Sequence, residues 1–257
     1  MKTFFAFYYS DLPNGSGFKM YGFVHFAFFF AIAAGIAITC VAYRRAAPDR
    51  RTVYLRVTAS LCLFLEIFKN IVMLITLPEY PISQLPLHLC GLGIFIEFFN
   101  AFTPRRSVTI DELLFSLSFP GAVAALTFPD WTIYPVFNIY CLQSFIIHGV
   151  LLCYPLMLLT SGQLRPKLRN LWRSAVFLIV VAPPIYLVNL HFHTDFLYIN
   201  GGAPGSPIEL LETLMGNPGY LAGYAALVVV IWFFMYAIYA VLNASLKRLN
   251  IRQRTAM

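Results

Sequence analysis

A small group of polar and thiol side chains lies within long apolar stretches of the sequence, and these residues are the candidates for chemistry. A titratable group at membrane depth costs about 2.5–3.5 kcal/mol to insert, so the groups found there usually face the protein interior and have a function. A thiol beside a base can act as a nucleophile, and carboxyl and imidazole groups can bind and release protons. The group comprises Glu66, Lys69, Asn70, His88, Cys90, Glu97, Gln143, His148 and Asn189.

Three of these residues are predicted to share one layer of the membrane. Counted at about 1.5 Å of rise per helical residue, Glu66, Cys90 and His148 lie at overlapping depths in three apolar segments. Helical spacing places Cys90 on the same stripe as Glu97, whereas His88 points away from that stripe. A thiol, an imidazole and a carboxyl group are therefore expected close together near the middle of the membrane.

Each of these residues also has a purely structural interpretation. Glu66 and Lys69 are spaced to form a neutral pair that packs two helices together. A lone membrane cysteine such as Cys90 is most often a small hydrophobic residue. A lone histidine such as His148 forms interhelical hydrogen bonds about as often as it takes part in catalysis. The residue types alone leave these alternatives open.

One stretch of the sequence resembles a metal site. His191, His193 and Asp195 alternate and would project from one face of an extended segment. No further ligand accompanies them, so we expect no metal and no other cofactor.

The composition indicates the environment of these segments. The chain of 257 residues is 60% hydrophobic and 11% charged, with a mean hydropathy of +0.73, which is typical of a polytopic membrane protein. A backbone in lipid must be helical or part of a closed barrel, and the apolar runs do not alternate as barrel strands do. We therefore predict an all-α, single-domain bundle over residues 1–257, with seven transmembrane helices at residues 20–43, 54–77, 82–102, 110–128, 134–159, 171–190 and 219–242.

Basic residues predict the orientation of this bundle. Most of the 18 Lys and Arg residues follow the first, third, fifth and seventh predicted helices, and the later loops on the other side carry only acidic charges. By the positive-inside rule the N-terminus is outside and the C-terminus is cytoplasmic. The net charge of +7 thus reflects topology and contact with anionic lipid headgroups, and nucleic acid is not expected as a partner.

Helix-breaking residues predict a cavity between the helices and a cover over its outer mouth. Pro120–Gly121 and Pro183–Pro184 are expected to interrupt the fourth and sixth helices. In the long outer loop, Ser206 and Glu209 form a capping box around a proline, which predicts a short amphipathic helix at residues 206–215. We expect this helix to lie over the outer end of the bundle as a lid.

Four sequence elements resemble those of a known family. LPLHLC at Leu85–Cys90, FPGAVAALTFPD at Phe119–Asp130, FIIHG at Phe145–Gly149 and the stretch from Asn189 to Gly216 have the order and spacing of the YwaF-like integral membrane proteins of bacteria. That family is distantly similar to a eukaryotic family of transmembrane acyltransferases that move fatty acyl chains between phospholipids with a membrane cysteine.

The resemblance implies a lipid acyltransferase in which Cys90 is the nucleophile and His148 its partner. The chemistry agrees, since an imidazole from a neighbouring helix can take the thiol proton and a carboxyl group such as Glu66 can orient the imidazole. We accordingly expect catalysis by these three residues on membrane lipids, in the outer half of the bacterial cytoplasmic membrane. The predicted substrate-binding residues are Lys69, Asn70, His88, Glu97, Gln143, Asn189 and His191.

Two other functions are compatible with the same residues. A metal-dependent membrane lipid hydrolase would use the histidines, and metal analysis of the purified protein separates it from a thiol mechanism. A proton-coupled transporter or sensor would use the intramembrane carboxyl and imidazole groups as a pathway, and it would survive the loss of Cys90.

Overall fold

The protein is a bundle of α-helices. The computed structural model describes residues 3–255, with side chains described as far as Ser245. Helices make up 72% of the structure and the described residues contain no strand, which confirms the predicted all-α class. The helices are α1 (Phe23–Arg45), α2 (Pro48–Thr76), α3 (Leu89–Phe102), α4 (Val108–Leu113), α5 (Phe119–Thr127), α6 (Ile139–Thr160), α7 (Trp172–Phe192), α8 (Pro207–Met215) and α9 (Tyr220–Thr255). Five basic residues that contribute to the predicted orientation lie outside the range of described side chains, namely Lys2, Lys247, Arg248, Arg252 and Arg254.

The described residues contain six apolar helical segments that are long enough to cross a membrane. They are α1, α2, the continuous segment from α4 to α5, α6, α7 with its leading turn, and α9 as far as Ser245. Helix α3 is also apolar but has 14 residues, fewer than the about 20 that span a hydrocarbon core. The chain is therefore a multi-pass membrane protein.

The third apolar segment is not helical from its beginning. A short turn occupies Ile82–Gln84 and α3 begins only at Leu89, so the prediction of a continuous helix from residue 82 is wrong. Pro86 is the cause, because it lacks a backbone N–H and disfavours helical geometry in the residue before it. The chain at Pro86 folds against the start of α3, where a Cβ on Gly91 would be 2.5 Å from the Pro86 carbonyl oxygen. Because Gly91 has no side chain, the Pro86 carbonyl can lie close to the first turn of α3, the turn that contains Cys90.

The interruption predicted at Pro120–Gly121 takes the form of a wider helical turn. Residues Leu114–Ser118 form a π-helical segment that joins α4 to α5. Proline cannot donate to the carbonyl four residues earlier, which here belongs to Ser116. Trp232 of α9 supplies a donor instead, because its Nε1–H lies 2.7 Å from the Ser116 oxygen. A neighbouring helix thus satisfies the freed carbonyl and is tied to this segment.

The interruption predicted at Pro183–Pro184 is absent. Helix α7 continues through both prolines from Trp172 to Phe192. Both prolines are exposed, on the side that faces lipid, while Ile185 and Asn189 of the same helix are buried. Because both rings lie on the exposed side, the helix accommodates them without displacing a neighbouring helix. This pair of prolines therefore gives no support to a cavity.

Helix α6 is the most buried of the crossing helices and forms the centre of the bundle, packed against α1, α2 and α5. In its N-terminal half, Phe145 stacks on Phe28 of α1 with ring centroids 4.3 Å apart. One turn later, Gly149 lets Ile32 approach, since a Cβ at this position would be 2.9 Å from the isoleucine side chain. These contacts hold the part of α6 that contains His148.

Two accessory segments lie outside the crossing helices. The N-terminal segment is anchored by Asn138, which caps α6 and donates to the carbonyl oxygens of Thr3 and Ala6 at 2.9 and 2.8 Å. Helix α8 occurs where the capping pattern predicts a helix, with the Ser206 hydroxyl accepting the Ile208 N–H at 3.1 Å. It packs against the beginning of α9.

Candidate functional site

Cys90 differs from the other four cysteines in that its side chain is not buried. It is the second residue of α3, at the helix end where free backbone N–H groups favour negative charge. Its side chain packs against the cluster that contains Ala122 of α5 and Ile147 of α6. A Cβ on Gly121 would be 3.9 Å from its sulfur, so glycine leaves room beside the thiol. Cys90 is therefore an accessible thiol between three helices.

His148 of α6 has one ring nitrogen engaged and the other free. Its Nδ1 lies 2.7 Å from the carbonyl oxygen of Ser144, and Nε2 has no hydrogen-bond partner among the described residues. Because a carbonyl oxygen can only accept, Nδ1 carries the hydrogen of the neutral ring and Nε2 keeps its lone pair. The ring stacks on Trp131, with centroids 5.0 Å apart and an interplanar angle of 8°. The imidazole is thus fixed in the tautomer that a general base requires.

Cys90 and His148 belong to one packed layer without a direct bond. Cys90 packs against the cluster that contains Ile147, the residue before His148, and the Cys62 sulfur of that cluster lies 4.0 Å from the Ile147 carbonyl oxygen. Within residues 3–255, no hydrogen bond joins the Cys90 thiol to the His148 ring. Catalytic hydrogen bonds commonly shorten only when substrate binds. The layer is therefore a candidate site in which the base has still to close on the thiol.

Glu66 is paired within its own helix. Lys69 Nζ lies 3.0 Å from Glu66 Oε1, and Asn70 Nδ2 donates to the same oxygen at 3.0 Å. The Tyr80 hydroxyl in turn donates to the side-chain oxygen of Asn70. Glu66 is therefore engaged by Lys69 and Asn70, while the Ser144 carbonyl oxygen is the atom that contacts the imidazole; the role of Glu66 in orienting His148 stays a prediction. Lys69 and Asn70, which were predicted to bind substrate, are engaged in the same network.

His88 connects the start of α3 to the outer loop. It is the residue before α3, and its Nδ1 accepts the backbone N–H of Leu197 at 3.4 Å. Its ring packs edge-on against Phe196, with centroids 5.2 Å apart, and lies 5.1 Å from the Tyr198 ring. Since Nδ1 accepts, Nε2 carries the hydrogen and can act as a donor.

Asn189 has no hydrogen-bonding capacity left for a substrate. Its amide donates to Phe196 O at 3.0 Å and Asn200 Oδ1 at 2.7 Å. Its oxygen accepts from the Thr194 hydroxyl at 3.0 Å and from the Phe196 N–H at 2.9 Å. These four bonds use both hydrogens and both lone pairs of the side chain. Asn189 therefore organises the loop after α7, whereas His191, exposed at the end of α7, stays a predicted substrate-binding residue.

Gln143 and Glu97, also predicted to bind substrate, are buried between helices. Gln143 Nε2 donates to the Leu65 carbonyl oxygen at 3.4 Å and thereby joins α6 to α2. The side chain of Glu97 is fully buried, and neither of its oxygens has a hydrogen-bond partner in the described part of the chain. An unpartnered carboxyl group at membrane depth is rare and needs a functional explanation.

Three residues that the sequence did not single out complete one side of the site. The Tyr198 hydroxyl donates to Asp130 Oδ2 at 3.1 Å, and Trp131 is the ring that stacks on His148. Burial raises the pKa of the Tyr198 phenol, and the Asp130 carboxylate raises it further, so the hydroxyl stays a donor. Asp130 is the last residue of the FPGAVAALTFPD element and Trp131 follows it, so this element was a usable signal. Tyr198 is 68 residues away from Asp130, and only the fold brings it there.

The alternating histidines of the outer loop do not gather ligands. The described residues contain no group of three or more His, Cys, Asp or Glu side chains arranged to hold a metal ion. Asp195 accepts the backbone N–H groups of Asn200 and Gly201 at 2.8 and 3.2 Å. His191 and His193 are exposed. Of the three residues in this pattern, Asp195 thus stabilises the conformation of the loop through its hydrogen bonds.

Comparison with known proteins gives one match. The model of the TMEM164 family matches residues 20–236, which include every residue of the candidate site. No curated protein and no solved structure matches the chain. The family is a transmembrane one, in agreement with the apolar helices. Because the match covers most of its length, the chain belongs to the TMEM164 family.

Proposed function

We propose that the chain is a membrane-embedded acyltransferase that moves fatty acyl chains to or from lipids through a thioester on Cys90. The proposal rests on one observation. An accessible thiol at the start of α3 lies in the same packed layer as His148, whose Nε2 lone pair has no partner among the described residues. The other four cysteines are buried, so none of them offers an acyl donor the same access.

Acyl transfer would proceed in two balanced half-reactions. His148 Nε2 takes the thiol proton, the sulfur electron pair forms a bond to the ester carbonyl carbon of a donor lipid, and the ester C–O bond breaks. The departing oxygen takes the proton from the imidazolium. In the second half, an acceptor hydroxyl gives its proton to His148 and attacks the thioester carbonyl. The C–S bond then breaks, and the Cys90 sulfur takes the proton back from the imidazolium.

The surroundings of Cys90 suit a lipid substrate. The cluster behind the thiol includes Ile94, Ile147 and Leu151, and Leu89 lies against Gly121, where a Cβ would be 3.2 Å from the leucine side chain. An acyl chain that enters from the bilayer exchanges one apolar environment for another and loses no hydration. Membrane lipids are therefore the proposed partners.

We further propose that α3, with the non-helical stretch before it, is a seventh crossing segment. The basic loops support an external N-terminus, a cytoplasmic C-terminus and insertion in the bacterial cytoplasmic membrane. The LPLHLC and FIIHG elements support a place among the YwaF-like proteins. Reporter fusions test the orientation, with external signals expected after Leu77, Phe128 and Gly202 and cytoplasmic signals after Arg51, Arg106 and Lys167. Reversal at two of these sites would overturn it.

A second candidate function is proton-coupled transport or sensing, and Glu97 favours it. A fully buried carboxyl group without a partner in the described residues is typical of a proton relay. The two functions separate in proteoliposomes. A transporter would keep its proton flux in Cys90→Ala and lose it in Glu97→Gln, whereas an acyltransferase would lose its activity in Cys90→Ala.

The proposed acyltransferase is tested by the lipids that accompany the protein. The full chain and its Cys90→Ser and Cys141→Ser variants are expressed at equal levels, and the acyl composition of the copurified lipids is compared by mass spectrometry. We expect a change for Cys90→Ser alone, since Cys141 is buried in α6 outside the site. Identical lipid profiles for all three proteins would contradict the proposal.

A further inference from the structure

We propose that Asp130 is a positioning residue for this chemistry: its carboxylate stabilises the imidazolium that forms on His148 when Cys90 gives up its proton. The inference rests on the proposed acyl transfer and adds a third residue to it. It replaces Glu66, which is engaged with Lys69. Asp130 belongs to a row of side chains that runs from His148 through Trp131 and Tyr198 to His88, at the start of α3.

The contacts along this row of side chains are continuous. Asp130 directly precedes Trp131, whose indole stacks on the His148 ring with centroids 5.0 Å apart. On its other side, Asp130 Oδ2 accepts the Tyr198 hydroxyl at 3.1 Å. The Tyr198 ring in turn lies 5.1 Å from the ring of His88, the residue before α3. Asp130 is an exposed residue, and Tyr198 holds its carboxylate beside Trp131, whose indole stacks on the imidazole of α6.

The charges around His148 leave Asp130 as the effective one. The charged or titratable side chains on the segments around His148 include Asp130, which precedes the stacked Trp131, and Lys69, Glu66 and His88. Lys69 and Glu66 form an ion pair at 3.0 Å, so their opposite charges largely cancel at the ring. His88 accepts a backbone N–H at Nδ1 and is therefore a neutral imidazole. Asp130 forms no ion pair within the described residues.

A carboxylate in this place acts at a defined stage of the reaction. At Cys90, burial opposes a thiolate first, and the negative charge of Asp130 opposes it further. The thiol therefore keeps its proton until an acyl donor arrives. When the sulfur attacks, negative charge moves from Cys90 to the ester oxygen and the imidazolium remains. Asp130 then stabilises the imidazolium that must give its proton to the departing oxygen.

The test uses the full chain in nanodiscs with p-nitrophenyl octanoate as the acyl donor, and follows kcat and KM across pH. For Asp130→Asn we expect kcat to fall about tenfold, a part of the about 10²–10⁴-fold that acid–base catalysis contributes, with KM unchanged within about twofold. Removal of the negative charge makes protonation of both His148 and Cys90 less favourable. The acid limb of the pH profile should therefore move to lower pH by about half a unit or more. Asp130→Glu should restore both the rate and the profile.

Two control variants separate charge from structure. Glu79→Gln removes an exposed acidic charge from the loop after α2 and should change neither kcat nor the pH profile. Tyr198→Phe removes the hydrogen bond to Asp130 but keeps the carboxylate, and should leave the acid limb in place. The inference is overturned if Tyr198→Phe reproduces the shift, or if Asp130→Asn coincides with Glu79→Gln while the unmodified chain is active. If Cys90→Ala releases nitrophenol as fast as the unmodified chain, the proposed function and this inference both fail.

Discussion

Replacement of His148 by glutamine removes the proposed base but retains a side-chain donor for the Ser144 carbonyl oxygen. The glutamine amide can still donate to the Ser144 carbonyl, but it accepts no proton at neutral pH. The change costs at most one neutral hydrogen bond, about 1 kcal/mol, and one aromatic stack on Trp131, about 0.5–1.5 kcal/mol. Such a loss is small against the about 5–15 kcal/mol of a typical domain, so the protein should stay folded.

The effect of this variant on chemistry is expected to be much larger. General acid–base catalysis contributes about 10²–10⁴-fold, so modification of Cys90 in His148→Gln should fall to about 1% of its rate or less. The assay treats the full chain in nanodiscs with a long-chain haloacetamide at pH 7 and measures each of the five cysteines by peptide mass spectrometry. His191→Gln is the matched control, because His191 is exposed outside the site, and should react normally. A rate for His148→Gln within twofold of the unmodified protein, or equal labelling of a buried cysteine, would refute the reasoning.

Two further predictions concern the parts of the fold that hold the site. Asn189→Ala leaves buried backbone groups of the outer loop without partners and should destabilise the protein by about 2–4 kcal/mol, seen as a lower midpoint of thermal unfolding; an unchanged midpoint would contradict the saturated network. Gly149→Val forces a side chain into Ile32, where a Cβ would be 2.9 Å away, and should cost about 1–3 kcal/mol in the same assay. Gly35→Val is its control, since nothing lies within 4 Å of a Cβ there, and equal destabilisation by the two variants would count against the packing described.

Long apolar runs predicted the membrane bundle because lipid offers a backbone no partners other than its own. The limits of the helices depended on contacts that a linear pattern does not contain. Pro86 delayed the start of α3, because the chain folds against Gly91. Pro183 and Pro184 lie on the exposed side of α7, and the helix continues through both. A pattern identifies a proline but not the side of the helix on which it lies.

Depth and helical spacing predict that Cys90 and His148 share one layer, because both quantities are local. They do not say which groups contact the imidazole. The residue that orients His148 is Ser144 of the same helix, whereas Glu66 is used by Lys69. The proposed role of Asp130 depends on Tyr198, which lies in a loop 68 residues later. No rule of sequence spacing relates these two residues.

The formation of an acyl-enzyme on Cys90 tests the central claim most directly. The purified full chain is mixed with p-nitrophenyl octanoate, quenched and measured by intact-protein and peptide mass spectrometry. The proposed mechanism predicts one octanoyl group on Cys90, which neutral hydroxylamine removes because the bond is a thioester. In Cys90→Ser, no octanoyl group that neutral hydroxylamine can remove should form. Transfer of acyl chains by a protein that never carries an acyl group on Cys90, or that works equally well as Cys90→Ala, would contradict it.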